Sequence, residues 1–177
     1  IIPPPGLVYD KLMETRRRLG DEDYHKWPPH INLLYPFVER ASFKSVIPIL
    51  QEGLKDVEPF ELILSDFGVF GSISHRGIFR GVLWVDPIVR DRPDSLAFLE
   101  SKLELAMPIC REQRLKYGEY RPHMTLSNYN IIEKATEAST ELKKLWTTLS
   151  FKVTEVFITE KSCGRTQIIH RLPLENL

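Results

Sequence analysis

The stretch Trp27-Pro28-Pro29-His30-Ile31-Asn32-Leu33-Leu34-Tyr35-Pro36-Phe37 holds a five-residue phrase that returns far along the chain. Pro29-His30-Ile31-Asn32-Leu33 is answered by Pro122-His123-Met124-Thr125-Leu126. Each copy opens with proline and then alternates polar with apolar residues, the period-2 pattern of a strand with one buried face. His30 and Asn32 then share one face, with Ile31 and Leu33 on the other. In the second copy His123 and Thr125 lie opposite Met124 and Leu126. Two such strands, one from each half of the chain, bring two imidazoles to one cleft.

Outward from these phrases the pattern predicts a helix over 6–20, with Arg16, Arg17 and Arg18 on its wet face. Pro36 ends or bends the first histidine strand. Ser42 is a candidate cap for a helix to about Lys55, with Pro48 in its first turns. Strands follow at 60–69 and 78–85, joined by the polar loop 71–77. A helix from Asp94 or Ser95 to about Met107 precedes the second histidine strand, 123–129. The remainder reads as a helix over 135–149, a strand over 151–159, a turn near Gly164 and a strand over 167–172. The order β-α-β-α-β-β, then α-β-α-β-β, puts one histidine strand in each half, as in a duplicated α+β unit. The expected architecture is two antiparallel-rich sheets with helices outside, their free faces meeting in a central cleft. The halves are expected to be lobes of a single domain, 1–177.

Composition sets the bounds. At 177 residues, 42% apolar and 27% charged, the chain has the balance of an ordinary soluble globular protein. Lys plus Arg and Asp plus Glu both number 24, so no global positive field gathers a long nucleic-acid backbone. Cys110 and Cys163 are isolated and read as reduced thiols, which points to the cytoplasm, with the nucleus as the other compartment. No apolar run approaches membrane-spanning length. The opening Ile1-Ile2-Pro3-Pro4-Pro5 lacks an initiator Met and reads as the tail of a strand, so the chain is expected to come from a longer one.

The paired phrase has a chemical use. Cleaving a phosphodiester requires one group to take a proton from the attacking oxygen and another to give one to the leaving oxygen. Histidine suits both, because its pKa lies near neutrality. Asn32 and Thr125 add hydrogen-bond donors on the same faces, for the charge on the phosphoryl oxygens. Asn is depleted in strands, so Asn32 is locally costly for a purely structural segment. His30, His123, Asn32 and Thr125 are therefore the candidate catalytic set. Arg121 shares the face of His123 if the strand starts that early, and would neutralise a phosphate. Ser127 and Tyr129 continue the His123–Thr125 alternation. Tyr129, Trp27, Phe67 and Phe70 are candidate stacking platforms for a base, with core packing as their competing use. His75 and Arg76 sit in the Gly/Ser loop, His25 stands five residues before His30, not four, and His170 has no evident partner.

The paired His-φ-[Ser/Thr]-φ pattern (φ apolar) resembles the 2H phosphoesterase superfamily, also called the 2'-5' RNA ligase-like or cyclic phosphodiesterase family. The first phrase looks like that family's "PPHITLLYPF" branch, and the element order is similar over nearly the whole chain. The resemblance implies a bilobal, pseudo-twofold α+β fold and metal-independent phosphoesterase chemistry on 2′,3′-cyclic phosphates, 2′,5′-linked oligonucleotides or RNA ends. It maps the catalytic histidines to His30 and His123 and the second-motif hydroxyl to Thr125. Asn32 departs from the family's Thr or Ser, and its planar amide reaches about one atom further. The expected partner is a nucleotide or an RNA 3′ end, with no cofactor, no metal, no membrane and a monomeric chain. Two other readings compete: a nucleotide- or RNA-end-binding module without turnover, and a metal hydrolase using His25, His30 and His75.

Overall fold

The computed structural model describes residues 1–73 and 79–174. Helix α1 (Gly6–Arg18) buries Leu12, Thr15 and Arg16, spaced three and four apart, and leaves Arg17 and Arg18 in solvent. Arg16 is thus no part of a wet face: it is wholly buried. Gly20, at φ 72°, turns the chain out of the helix in a conformation that costs glycine little. Helix α2 (Phe43–Leu54) follows a 3₁₀ turn at Arg40–Ser42, and the Ser42 side chain makes no cap bond. Phe43, Val46, Leu50 and Leu54 form its buried stripe, and Pro48 is accommodated within it.

The remaining elements are β1 (Phe60–Ile73), β2 (Phe79–Ile88), α3 (Ser95–Ala106), α4 (Glu112–Tyr117), β3 (Met124–Tyr129), α5 (Ile132–Leu145), β4 (Leu149–Val153), β5 (Glu155–Ser162) and β6 (Arg165–Pro173). The first sheet is antiparallel, in the order β3-β2-β1-β4, and β5 and β6 form a second. The expected α+β class and paired antiparallel sheets are present. Gly71, Ser72 and Ile73 extend β1 rather than opening a loop, and the rest of that loop, with His75 and Arg76, lies outside the described residues.

The segment 151–159, expected as one strand, is two. β4 pairs with β1 in the first sheet and β5 with β6 in the second. The buried positions change parity at Thr154, from Phe151 and Val153 to Val156 and Ile158. An uninterrupted strand keeps its parity, because a one-residue slip moves side chains to the other face.

The first histidine strand is also corrected. Among the described residues its only ladder contacts are single antiparallel bridges, from Ile31 to Ile2 on one side and to Met124 on the other. Prolines at 28, 29 and 36 remove donors on both flanks, so Ile31 alone within the phrase is bridged on both sides. The Ile2 and Ile31 backbones exchange two bonds of 2.9 Å, and the Phe157 amide donates to the Ile1 carbonyl at 2.9 Å. A continuous row of backbones therefore runs β6, β5, 1–2, 31, β3, β2. The two sheets meet edge to edge, and the histidine phrases are the meeting edges. Ile2, Ile31, Met124, Val156 and Ile158 point to the core side. Helix α5 covers the core side of β2, where Gly81 leaves room: a Cβ there would lie 2.5 Å from the Ala135 Cβ. No helix among the described residues is long and apolar enough to cross a membrane.

Candidate active site

The Ile31–Met124 bridge fixes the site. In an antiparallel pair the neighbours of a bridged pair also face one another, so His30 lies across from Thr125 and Asn32 across from His123. Ile31 and Met124 are both fully buried, so alternation turns all four polar side chains to the opposite, open face. Each histidine faces the donor of the other phrase. Residues directly opposed in this way have Cβ atoms about 5 Å apart, which is phosphate-sized spacing. The Tyr120 hydroxyl donates to the Asn32 carbonyl at 3.0 Å and ties the approach to β3 to the first phrase.

Both rings are anchored alike. His30 Nδ1 lies 2.7 Å from the Pro28 carbonyl, and His123 Nδ1 lies 2.9 Å from the Arg121 carbonyl. A carbonyl only accepts, so each Nδ1 carries the proton and each neutral ring keeps a lone pair on Nε2. Burial is the main force on both and disfavours the imidazolium. His30 is pushed down to about 4, with the positive charges of Arg16 and a protonated His123 adding to the effect. His123 is lowered by burial and by Arg121.

The surroundings differ. His30 is carried by the loop 19–29, which a buried ion pair braces. Arg16 Nε donates to Asp21 Oδ2 at 2.8 Å, Arg16 Nη2 lies 2.7 Å from the same oxygen, and Nη1 donates to the Trp27 carbonyl at 2.7 Å. The signal for this was present in sequence, since Arg16 stands four residues after buried Leu12, on one stripe. His123 instead meets an aromatic platform. Phe70 stacks on Trp84 at 4.8 Å between centroids, and His123 touches Phe70 edge-on at 4.9 Å. The Arg121 guanidinium lies 5.0 Å from the Phe70 centroid and 5.4 Å from that of Trp84. The indole lies flat because residue 68 is glycine: a Cβ would fall 2.1 Å from Trp84 Cζ2. Asp86, raised by burial and by Asp66, feels Arg121 as its compensating charge.

A cleft of about 670 Å³ opens beside His30, lined also by Asn32, Thr125, Asn128, Trp27 and Lys161. Trp27 thus stands where expected. Three expected residues do not. Phe67 pairs with Val85 and faces the core, 5.0 Å from Trp146, while Phe70, on the opposite parity, reaches the site. Ser127 and Tyr129 were expected on the His123–Thr125 face, but the ladder slips between Leu83 and Trp84. Thr125 pairs with Trp84 and Ser127 with Leu83, so the bulge at Leu126 turns Ser127 and Tyr129 away. The same bulge delivers Asn128 to the cleft. Nothing in a period-2 pattern announces a bulge, so Asn128 was not legible. Of the other histidines, His25 lies against Tyr24 and outside this cleft, and His170 pairs with Ile158 within the second sheet. Among the described residues no three His, Cys, Asp or Glu converge as a metal site.

This arrangement can take a proton at one Nε2, deliver one at the other, and hold an anion between them with the Thr125 hydroxyl and the Asn32 and Asn128 amides. The model of the 2'-5' RNA ligase superfamily matches residues 3–164, a span that contains both histidine phrases. No curated protein matches the chain.

Proposed function

The chain belongs to the 2'-5' RNA ligase superfamily, and from that premise we propose that it is a phosphodiesterase acting on a nucleotide or RNA-end phosphodiester. Membership supports a phosphoesterase or ligase type of function; the substrate and the steps are our reading. The bond attacked is that of a 2′,3′-cyclic phosphate or a 2′,5′ linkage, and the protons move through the paired imidazoles without a metal. The observation that carries this reading is the Ile31–Met124 bridge, because it sets His30 against Thr125 and His123 against Asn32.

In ring opening of a cyclic phosphate, His30 Nε2 takes a proton from water as its oxygen bonds to phosphorus. The bond from phosphorus to one ribose oxygen breaks, and His123, protonated, gives that oxygen its proton. One proton is taken and one given, so the next turnover needs only exchange with solvent. His30 suits the base role because burial holds it neutral, down to about 4. His123 suits the acid role once the substrate's anionic phosphate offsets the burial that disfavours its imidazolium. A bell-shaped pH–rate profile is the expected signature.

The test is turnover of 2′,3′-cyclic nucleotides and 2′,5′-linked oligoadenylate, with the products separated into 2′- and 3′-phosphate ends. Wild-type product well above that of His30→Ala and His123→Ala supports the enzyme. Saturable binding with no product above those variants supports the second reading, a module that binds the RNA end without turnover, which Asn32 in place of a hydroxyl favours.

A further inference from the structure

Three consecutive carbonyls ahead of His30 are each held by a different residue. The Lys26 carbonyl accepts from the Thr166 amide at 2.9 Å and from the Thr166 hydroxyl at 3.3 Å. The Trp27 carbonyl accepts from Arg16 Nη1 at 2.7 Å, and the Pro28 carbonyl accepts from His30 Nδ1 at 2.7 Å. Residues 26–30 belong to no strand, and Pro28 and Pro29 have no amide with which to join one. The path of the chain into His30 is therefore set by its carbonyl contacts. Two of those carbonyls are also rigidly related. The Pro28 ring fixes φ near about −65°, and a residue that precedes proline is confined to an extended ψ. Pro28 carries both restrictions, because Pro29 follows it. With the peptide between them planar, the Trp27 and Pro28 carbonyls keep a nearly constant relative orientation. Whatever aims the Trp27 carbonyl thereby aims the Pro28 carbonyl, and with it the His30 ring.

The group that aims it is the wholly buried Arg16 guanidinium. Its other edge is fixed on Asp21, with Nε 2.8 Å and Nη2 2.7 Å from Oδ2. Asp21 is held in turn, its amide donating to the Arg16 carbonyl at 3.0 Å and its Oδ1 accepting from the Asp23 amide at 3.3 Å. A planar fork of donors spans two acceptors on separate stretches in this way, and an ammonium does not. Stability alone does not call for such a pair, since apolar side chains of like volume in its place are often no less stable. What the pair supplies, and apolar packing would not, is a direction for the Trp27 carbonyl.

We infer that Arg16 is a positioning residue for the reaction: through the Trp27 carbonyl and the two prolines it sets the tautomer and the direction of the His30 imidazole. The inference rests on the phosphodiesterase reading for the reaction, and adds to it a residue that lines no part of the cleft.

The experiment compares the whole chain as wild type, as Arg16→Lys, and with Arg16→Met and Asp21→Leu together. Lysine keeps the charge and loses the fork. The paired apolar change leaves neither ion unmatched, a denaturant melt verifies that it folds, and it decides alone if the lysine variant does not. The first readout is the His30 ring in two-bond proton–nitrogen NMR correlations at neutral pH, where the wild type is expected to carry its proton on Nδ1. In the variants His30 becomes a mixture of tautomers, while His123, whose Nδ1 is held by the Arg121 carbonyl, keeps its signals. The second readout is turnover of a 2′,3′-cyclic nucleotide. There kcat falls about a hundredfold, whereas KM stays within about twofold, the mark of an interaction realised in the transition state. A folded paired variant with wild-type kcat, or with an unchanged His30 tautomer, overturns the assignment. Equal disturbance of both histidines, which is general loosening, overturns it too. Wild-type protein without turnover sinks the phosphodiesterase reading alone, because the His30 tautomer then still decides for or against Arg16.

Discussion

The two histidine phrases are nearly the same words in different grammar. The second lies at the head of β3, laddered to β2 in a four-stranded sheet, and its ring rests on Phe70 and Trp84. The first is bridged only at Ile31 and depends on a loop braced by the Arg16–Asp21 pair. Even so, both rings donate to the carbonyl two residues upstream. Local sequence sets the orientation of each ring through that shared hydrogen bond. Long-range contacts decide how rigidly it is held and how dry it is.

The largest expected effect breaks the support of the first phrase. Asp21→Ala leaves Arg16 charged and fully buried, a change that costs about 3–5 kcal/mol, read as a fall in the denaturant midpoint. Among the described residues no fully buried ion pair underlies the second phrase. Next, Thr125→Val removes the donor facing His30 and lowers kcat about a hundredfold with little change in stability. Asn32→Thr tests the counterpart position, and a rise in kcat would show that the amide is the weaker donor.

The titration sharpens the comparison further. His30 sits at about 4 in the folded chain because burial disfavours its charge, against about 6.5 when unfolded. The unfolded state therefore binds more protons between these values, and stability falls as pH drops from about 6.5 toward 4. Its contribution is fully present above that window. Following the His30 and His123 ring protons by NMR with a bound nucleotide phosphate is expected to show both pKa values rising. The smallest effects test the bulge. Asn128→Ala raises KM about tenfold, whereas Tyr129→Phe, on the other face, leaves kcat and KM within about twofold. The reverse ranking would contradict the register derived for β3.

Much of this was legible. The α+β class and the histidine pair follow from period-2 alternation and its repetition, which the fold obeys at Ile31 and Met124. What was missed follows from departures from regularity. The bulge at Leu126 exchanged Ser127 and Tyr129 for Asn128. The core claimed Phe67, because its parity matches Val85 rather than Trp84. The parity change at Thr154 was visible in the sequence and marks a passage between sheets. Arg16 was read as solvated because its neighbours are, although its helical spacing from Leu12 pointed inward.

The central claim is that two imidazoles from separate phrases act on a single phosphorus, and a double-mutant cycle tests it most directly. The measurement is kcat on a 2′,3′-cyclic nucleotide for wild type, His30→Ala, His123→Ala and the double variant. Groups that act as one unit lose about a thousandfold singly and scarcely more together. Losses that multiply, or a single variant that keeps near-wild-type turnover, would contradict it.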